Sequence, residues 1–227
     1  MMKAVEYRIE NISEFLDVFR KNPPELFRGQ AEDWPLIPSL GRVTLSVFEG
    51  ILEIEEDIIS EFKKYGYPYF DGASLSYTDW ILYAQHHGLP TRLLDFTSNP
   101  LKALYFAVED STNLNDGVVW GFDSICGYEF PDLMSDTVKF FYPIHVDPRI
   151  TAQESCFACF PIGRYQLDVP SIETYDTRDT RPFDRVVIPG EFKLRIKTEL
   201  STLGIHKLSI YPGVEGVVAR VKEKLEL

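Results

Sequence analysis

Residues 85–99 bring together side chains that often take part in catalysis or ligand binding. These residues are Gln85, His86, His87, Thr91, Arg92, Asp95, Thr97, Ser98 and Asn99, and they lie close to apolar neighbours. An imidazole changes charge near neutral pH and can act as a general base, and an arginine pairs well with a carboxylate or a phosphate. The alternative for each histidine is a helix cap or a core residue. This stretch is the first candidate for a functional site.

The elements that would position these side chains follow from the apolar pattern. Leu93, Leu94 and Phe96 form a short apolar run, which predicts a buried strand or extended segment. Asn99-Pro100 is typical of a helix start, because asparagine caps well and proline lacks only an amide that would be unpaired there. The apolar residues that follow at spacings of three and four predict a helix over about 99–110.

The polar residues of this segment have two interpretations each. Thr97 and Ser98 fall at a strand-to-helix junction, where backbone amides and the helix dipole favour an anion. Alternatively, they only cap the helix. Asp95 interrupts the apolar run, and a buried carboxylate would need a partner. Arg92 is the nearest candidate for that partner.

A second candidate region is Phe27-Arg28-Gly29-Gln30, in a predicted strand at 25–30. An arginine in an apolar strand needs an anion or a carboxylate partner. The glycine after it allows another backbone or a ligand to approach closely. A structural salt bridge followed by a turn is the alternative.

The remaining pattern predicts one α+β domain over residues 1–227, with a mixed or antiparallel sheet and flanking helices. The acidic set Glu53, Glu55, Glu56 and Asp57 is interpreted as the solvated face of a helix. Residues 123–138 are predicted to be irregular, 147–154 a polar connection and 161–182 a loop. Further strands are expected at 3–10, 117–122, 140–146, 155–160, 185–189 and 207–211, and helices at about 12–21, 44–65, 77–87, 190–203 and 212–222.

Composition limits the function classes. The chain has 35 Asp and Glu against 23 Lys and Arg, a formal net charge of −12. Such a surface repels phosphate backbones and disfavours non-specific nucleic-acid binding. No apolar segment is long enough to span a membrane, and the N-terminus lacks a secretory pattern, so we expect no membrane association and a cytoplasmic location.

The three cysteines do not indicate a disulfide framework. Cys156 and Cys159 match the C-x-x-C spacing, but they lie in a predicted strand, where residues three apart point to opposite faces. Since no second cysteine pair accompanies them, we predict structural burial and expect no metal.

The sequence resembles the FRG domain family of bacterial and phage proteins. The resemblance rests on Phe27-Arg28-Gly29-Gln30, on the block from Gln85 to Ala107, and on Tyr211-Pro212-Gly213-Val214-Glu215-Gly216. It covers about residues 25–220, the expected core of the domain. The family is best known as a domain of unassigned function.

A more distant resemblance concerns function. A strand with Arg-Gly, then a Thr/Ser cluster, then a later glutamate is similar to the plan of the ADP-ribosyltransferases. This resemblance implies an ADP-ribosyltransferase-like fold with NAD held by Arg28 and a pocket supported by Thr97 and Ser98. Gly29, Gln30, Gln85, His86 and Arg92 are further candidates for the binding site.

The glutamate of that plan would be Glu154, with Glu191 as runner-up. In that superfamily one residue usually separates a Gln or Glu from this glutamate. Here Gln153 and Glu154 are directly adjacent. The alternative function is a non-catalytic module that binds a nucleotide or a protein. A third is a metal-assisted hydrolase or nuclease using His86, His87 and Asp95, although adjacent helical histidines point about 100° apart.

Overall fold

The computed structural model describes residues 5–44, 50–70, 74–143, 148–175 and 184–225. Within these ranges one mixed sheet has the strand order β1-β8-β4-β2-β3-β7-β6-β5. Only the β1–β8 and β5–β6 pairs are parallel. The strands are β1 Val5–Arg8, β2 Leu26–Gln30, β3 Leu93–Thr97, β4 Gly117–Phe122, β5 Cys126–Gly127, β6 Lys139–Phe141, β7 Ser155–Cys159 and β8 Asp184–Ile188.

Eight α-helices and four 3-10 turns surround this sheet in the described part of the chain, which confirms the predicted α+β class. The turns are Ser39–Arg42, Tyr67–Tyr69, Ile172–Thr174 and Gly190–Phe192. The helices are α1 Ile12–Phe19, α2 Ile51–Gly66, α3 Tyr77–His86, α4 Pro100–Val108, α5 Pro148–Gln153, α6 Lys193–Thr202, α7 Lys207–Ile210 and α8 Val214–Leu225. None of the described helices combines the length and apolar character needed to cross a bilayer.

Local capping explains where the helices next to β3 begin. The side chain of Asn99 accepts hydrogen bonds from the amides of Leu101 and Lys102, so the predicted start at Asn99-Pro100 is confirmed. Helix α3 begins at a capping box formed by Ser76 and Asp79. The side chain of each residue accepts a hydrogen bond from the backbone amide of the other. These caps fix the directions in which α3 and α4 leave the ends of their loops.

Three predicted elements differ in the structure. In the segment 207–211, which was predicted to be a strand, Lys207–Ile210 form helix α7, because His206 and Ser209 make a capping box around its first turn. Helix α5 occupies most of the predicted polar connection at 147–154. The strand expected at 140–146 is seen as Lys139–Phe141, and residues 144–147 lie outside the described ranges.

Three further segments differ in detail from the prediction. The helix expected from about residue 44 begins at Ile51, and residues 45–49 lie outside the described ranges. The segment 123–138 contains the short strand β5. Part of the predicted loop at 161–182 is a 3-10 turn, and residues 176–183 lie outside the described ranges.

The core lies on both faces of the sheet. One face carries Leu26, Leu94, Phe96 and Trp120 and packs against the first turns of α2. On the opposite face, β2, β4 and β8 pack against α1, α4, α6 and α7. On that same face, β3, β6 and β7 pack against α3 and Ile59 of α2. The two clusters of this second face therefore meet between β2 and β3.

The sheet is almost divided between β2 and β3. Each of these strands pairs with its outer neighbour over five residues, β2 with β4 and β3 with β7. Between themselves they pair only at Phe27 and Thr97, although the same register would place Gly29 opposite Asp95. We call this single-pair junction the seam. It separates two halves of four strands each.

Candidate functional site

A cleft of about 290 Å³ opens at the seam. Its lining comes from both seam strands, from α4, from the end of α5 and from the residue after α7. The lining residues are Phe27, Arg28, Gly29, Asp95, Phe96, Thr97, Phe106, Gln153 and Tyr211. The volume lies near the lower end of the roughly 300–1,000 Å³ typical of ligand pockets. Of the predicted site residues, Arg28, Gly29 and Thr97 meet here.

Arg28 of β2 bridges the seam to β3. Its Nη1 donates a 2.7 Å hydrogen bond to the main-chain oxygen of Asp95. Its Nε is buried and has no hydrogen-bond partner among the described residues. Burial lowers the pKa of the guanidinium, which the charge of Asp95 partly offsets. A half-buried cation that lines a cleft is a favourable place for an anionic group.

Asp95 is the carboxylate that shares the cleft with Arg28. The residue is exposed, and its Oδ2 accepts a 2.9 Å hydrogen bond from Nε2 of Gln85. The other end of Gln85 accepts a 2.5 Å hydrogen bond from the hydroxyl of Thr91. That hydroxyl in turn accepts from the amide of Leu93 at 3.1 Å. This chain fixes the amide of Gln85 and, through it, the direction of the Asp95 carboxylate.

Arg92 has a structural partner and lies outside the cleft. It is 1% exposed and forms a forked ion pair with Glu55 of α2, which is fully buried. The same carboxylate accepts the backbone amide of Arg92 at 3.1 Å. Burial alone would lower the pKa of Arg92, but the hydrogen bonds and charge of Glu55 raise it. Two predictions were therefore wrong: Arg92 is not the partner of Asp95, and Glu55 is not on a solvated face.

Gly29 and Gln30 are explained by packing. A Cβ added at Gly29 would lie 1.8 Å from the main-chain oxygen of Ala103, so only glycine lets α4 approach β2. Gln30 is 3% exposed and donates through Nε2 to the oxygen of Trp34 at 3.2 Å. Gly29 lines the cleft only through its backbone, and Gln30 is not part of the lining.

The strand-to-helix junction after β3 is tied to the end of α5. The hydroxyl of Thr97 donates to the oxygen of Gln153 at 2.7 Å and accepts from the amide of Asn99 at 3.0 Å. The amide of Ser98 donates to the oxygen of Glu154 at 3.1 Å. Thr97 lines the seam cleft, whereas Ser98 lines a different cavity. The Thr97 hydroxyl therefore joins β3 to the end of α5, while the cap of α4 itself is the side chain of Asn99.

Glu154 does not line the cleft. Its carboxylate accepts hydrogen bonds from Lys102 at 2.7 Å and from Asn99 at 3.0 Å. Burial would raise its pKa, but the bonds from Lys102, Asn99 and Ser98 prevail and lower it. Its φ of 49° places it in the left-handed region, which is uncommon for a residue other than glycine. Glu191, the runner-up, lies in a 3-10 turn after β8 and also does not line the cleft.

A protein-family model matches residues 24–116, with the description FRG domain. The chain contains an FRG domain. No curated protein and no solved structure matches the chain significantly. The match ends before the Tyr211 motif, so the wider extent suggested by the sequence stays a prediction.

The FRG domain supplies both strands of the seam and most of the cleft. Arg28, Asp95 and the Gln85 side chain that orients Asp95 all lie within the matched residues. Gln153 and Tyr211 lie beyond them and complete the lining. The cleft is thus assembled from the FRG domain and from later parts of the chain.

His86 of the FRG domain lies beside the seam cleft. It lines a neighbouring cavity of about 130 Å³ with Arg149, and this cavity shares Asp95 and Gln153 with the seam cleft. The ring of His87 instead packs near Phe62, with centroids 6.1 Å apart. Among the described residues, no three His, Cys, Asp or Glu side chains are grouped as a metal site would require.

Sequence reasoning did not place Gln153, Phe106 and Tyr211 at the site. Phe106 and Tyr211 form an aromatic wall, with an edge-to-face contact at 6.3 Å. The hydroxyl of Tyr211 donates to Glu109 at 3.0 Å, and Lys207 lies 4.2 Å above its ring. Both aromatic residues belong to motifs that carry the FRG resemblance, and this membership was the one sequence signal that could have placed them at the site. Gln153 gave no signal beyond its position next to Glu154.

Proposed function

We propose that the seam cleft binds NAD and that this FRG-domain protein cleaves the bond between nicotinamide and ribose, as an ADP-ribosyltransferase or NAD glycohydrolase. One observation carries the proposal: Arg28 and Asp95 line one cleft, and Arg28 donates a hydrogen bond across the seam to the main-chain oxygen of Asp95. A cation and an oriented carboxylate beside an aromatic wall match the charges of a dinucleotide undergoing glycosidic cleavage. The proposed compartment is the cytoplasm, in keeping with three free thiols among the described residues.

Arg28 would bind the pyrophosphate in this proposal. Its guanidinium is held by one hydrogen bond to Asp95, and its buried Nε is unpaired among the described residues. A phosphate oxygen in the cleft would pair with the guanidinium of Arg28, which lines the cleft, and would neutralise its charge. The backbone at Gly29 borders the same space without a side chain.

Asp95 would stabilise the charge that develops during cleavage. When the carbon–nitrogen bond breaks, its electron pair stays on the nicotinamide nitrogen and the ribose carbon becomes positively charged. A fixed carboxylate stabilises that charge in the transition state. An oxygen of water or of a target side chain then bonds to the ribose carbon, and its proton passes to Asp95 or to solvent.

Asp95 takes the role that the ADP-ribosyltransferase resemblance assigned to Glu154. The Glu154 carboxylate is already bonded to Lys102 and Asn99, at the start of α4. Asp95 is exposed, lines the cleft and is oriented by Gln85. Its position satisfies the geometric requirement for a catalytic carboxylate better than that of Glu154.

Nicotinamide release from NAD tests the proposal. The unmodified protein should release nicotinamide, and Asp95→Asn should slow release by roughly 100-fold or more, as expected when a transition-state charge loses its partner. Arg28→Lys should weaken NAD binding, because lysine keeps the charge but not the planar fork. Glu154→Gln is the matched control and should retain activity. No release by the unmodified protein, or equal release by Asp95→Asn, would refute the catalytic proposal.

A non-catalytic module that binds a nucleotide or a protein is the second candidate. This function is favoured by the hydrogen bond from Lys102 to Glu154. Because of it, the carboxylate that the ADP-ribosyltransferase resemblance assigned to catalysis is bonded outside the cleft. Calorimetric titration with NAD separates the two functions. Saturable binding that depends on Arg28 but produces no nicotinamide would support the module.

A further inference from the structure

Two thiols meet at the edge of the sheet, away from the seam. Cys126 lies on β5 and Cys156 on β7, and their sulfur atoms are 3.6 Å apart. Both are free thiols. The strands that carry them are separated in the sheet by β6, so the contact is made by the side chains and is not a consequence of direct strand pairing.

The two thiols differ in access to solvent. Cys126 is partly exposed and lines a cavity of about 610 Å³, whereas Cys156 is fully buried. A small oxidant in that cavity therefore reaches Cys126 first. Cys156 lies behind it, within contact distance of the sulfur that would be oxidised.

The protonation of the pair is also unequal. The hydrogen bond with Cys156 lowers the pKa of Cys126, with burial opposing and Tyr142 assisting. The same contact and burial raise the pKa of Cys156. Since the thiolate is the reactive form, the accessible sulfur is also the more nucleophilic one.

We infer that Cys126 and Cys156 form a hydroperoxide-reactive pair that closes to an intramolecular disulfide. The Cys126 thiolate attacks a peroxide oxygen and the O–O bond breaks. Cys126 becomes a sulfenic acid, and the leaving hydroxide or alkoxide takes a proton from solvent to give water or an alcohol. The thiol of Cys156 then attacks the sulfenic sulfur. An S–S bond forms, the S–O bond breaks, and water leaves with the Cys156 proton.

Bond formation requires the backbone to move. Because β6 lies between β5 and β7, their backbones are two strand spacings apart, roughly 9 Å, whereas a disulfide needs Cα atoms within about 7 Å and sulfurs about 2.05 Å apart. Cys126 lies on a strand of two residues at the outer edge of the sheet. Such a strand shifts more readily than β7, which is paired on both sides.

Cys159 is an internal control. It is buried, and burial raises the pKa of its thiol to about 12, with the charge of Arg92 opposing. The structure shows a sulfur–sulfur contact for Cys126 and Cys156 only, within the described residues. Cys159 should therefore remain reduced while the pair is oxidised.

Thiol counting after peroxide treatment tests this inference, independently of any activity of the seam cleft. The folded, full-length protein is treated with a slight excess of hydrogen peroxide, quenched and unfolded, and its thiols are titrated. The count should fall from three to one, with a mass loss of two hydrogens and a Cys126–Cys156 cross-link in the non-reduced peptide map.

The variants divide the reaction into its steps. Cys159→Ser should still lose two thiols, whereas Cys126→Ser should keep both of its remaining ones. Cys156→Ser should stop at a sulfenic acid on Cys126, detected by dimedone labelling. The inference is overturned if the unmodified protein keeps three thiols, or if the cross-link involves Cys159 or a second copy of the chain.

Discussion

Nη1 of Arg28 donates a 2.7 Å hydrogen bond to the main-chain oxygen of Asp95, across the point where β2 and β3 stop pairing. This bond takes the place of strand pairing at the centre of the sheet. It also brings the guanidinium of Arg28 close to Asp95, whose charge partly offsets the lowering of the Arg28 pKa by burial. The two charged groups of the candidate site are therefore positioned by the irregularity that creates the space between them.

Gln85 should act as a positioning residue for Asp95. Replacing it with leucine removes the 2.9 Å bond to the Asp95 carboxylate and leaves the Thr91 hydroxyl without its acceptor. Under the proposed reaction, we expect kcat to fall by roughly 10- to 100-fold with little change in KM, since a hydrogen bond to a charged group is worth about 1.5–3 kcal/mol. Steady-state nicotinamide release measures both constants.

The matched control for this change is Gln166→Leu. Gln166 bonds Gly163 and Asp168, away from the cleft. The Gln166→Leu variant should leave both kcat and KM unchanged. A Gln85→Leu variant that loses NAD affinity but keeps kcat would show that Gln85 binds the ligand and does not orient Asp95.

The buried pair of Arg92 and Glu55 should be essential for stability. Glu55→Gln leaves a buried guanidinium without its counter-charge, and such changes cost about 3–5 kcal/mol in the free energy of unfolding. Urea unfolding measures this loss. Asp57→Asn, on the exposed side of the same helix, should change stability by less than about 0.5 kcal/mol.

The double variant Glu55→Leu with Arg92→Met sharpens the test. It removes both charges and should recover part of the loss, because the cost of a broken buried pair lies mainly in the uncompensated charge. If Glu55→Gln is no more destabilising than Asp57→Asn, the pair has no structural role.

Gly29 should tolerate no side chain. In Gly29→Ala the new Cβ would lie 1.8 Å from the oxygen of Ala103, so α4 must move away from β2. We expect a loss of at least about 3 kcal/mol in the free energy of unfolding, at the upper end of overpacking costs. Gly163→Ala is the control, since its nearest neighbouring atom would be 3.7 Å away. Equal thermal midpoints for the two variants would contradict the close approach of α4.

Glu154 should contribute a pH-dependent part of stability. Its pKa in the folded protein lies below the ordinary value of 4.5, so ionisation favours folding. The contribution is present above the unfolded pKa and is lost as pH falls through the lower folded value. Thermal midpoints of Glu154→Gln should thus lie below those of the unmodified protein at neutral pH and converge with them in acid. A pH-independent difference would contradict the role of Lys102.

Elements with strong local signals were predicted well. Residues 117–122 were expected as a strand and form β4 over the same span, because the apolar run is bounded by clear turn residues. The helix start at Asn99-Pro100 was found from capping chemistry alone. By contrast, Leu208 and Ile210 alternate with polar residues over only five positions, a pattern too short to distinguish a strand from one turn of helix.

The partners of the charged residues could not be predicted from the sequence. Arg92 is close to Asp95 along the chain, yet its partner is Glu55 of helix α2. The periodicity of α2 did not reveal that Glu55 is buried. The buried side of this helix is wider than the stripe formed by its apolar residues, and Glu55 lies on that side. The seam itself joins residues seventy positions apart at Phe27 and Thr97, and no local pattern encodes a pairing that stops after one residue.

The division of the sheet also sets a lower limit on the length of chain that can fold independently. Where the structure describes them, the residues that match the FRG domain contribute only β2 and β3 to the sheet, joined by one residue pair. The extensive partners of these strands, β4 and β7, come later in the chain. Since two strands alone are marginally stable, residues 24–116 expressed by themselves should not hold the cleft. The recognisable unit of this protein is smaller than its unit of folding.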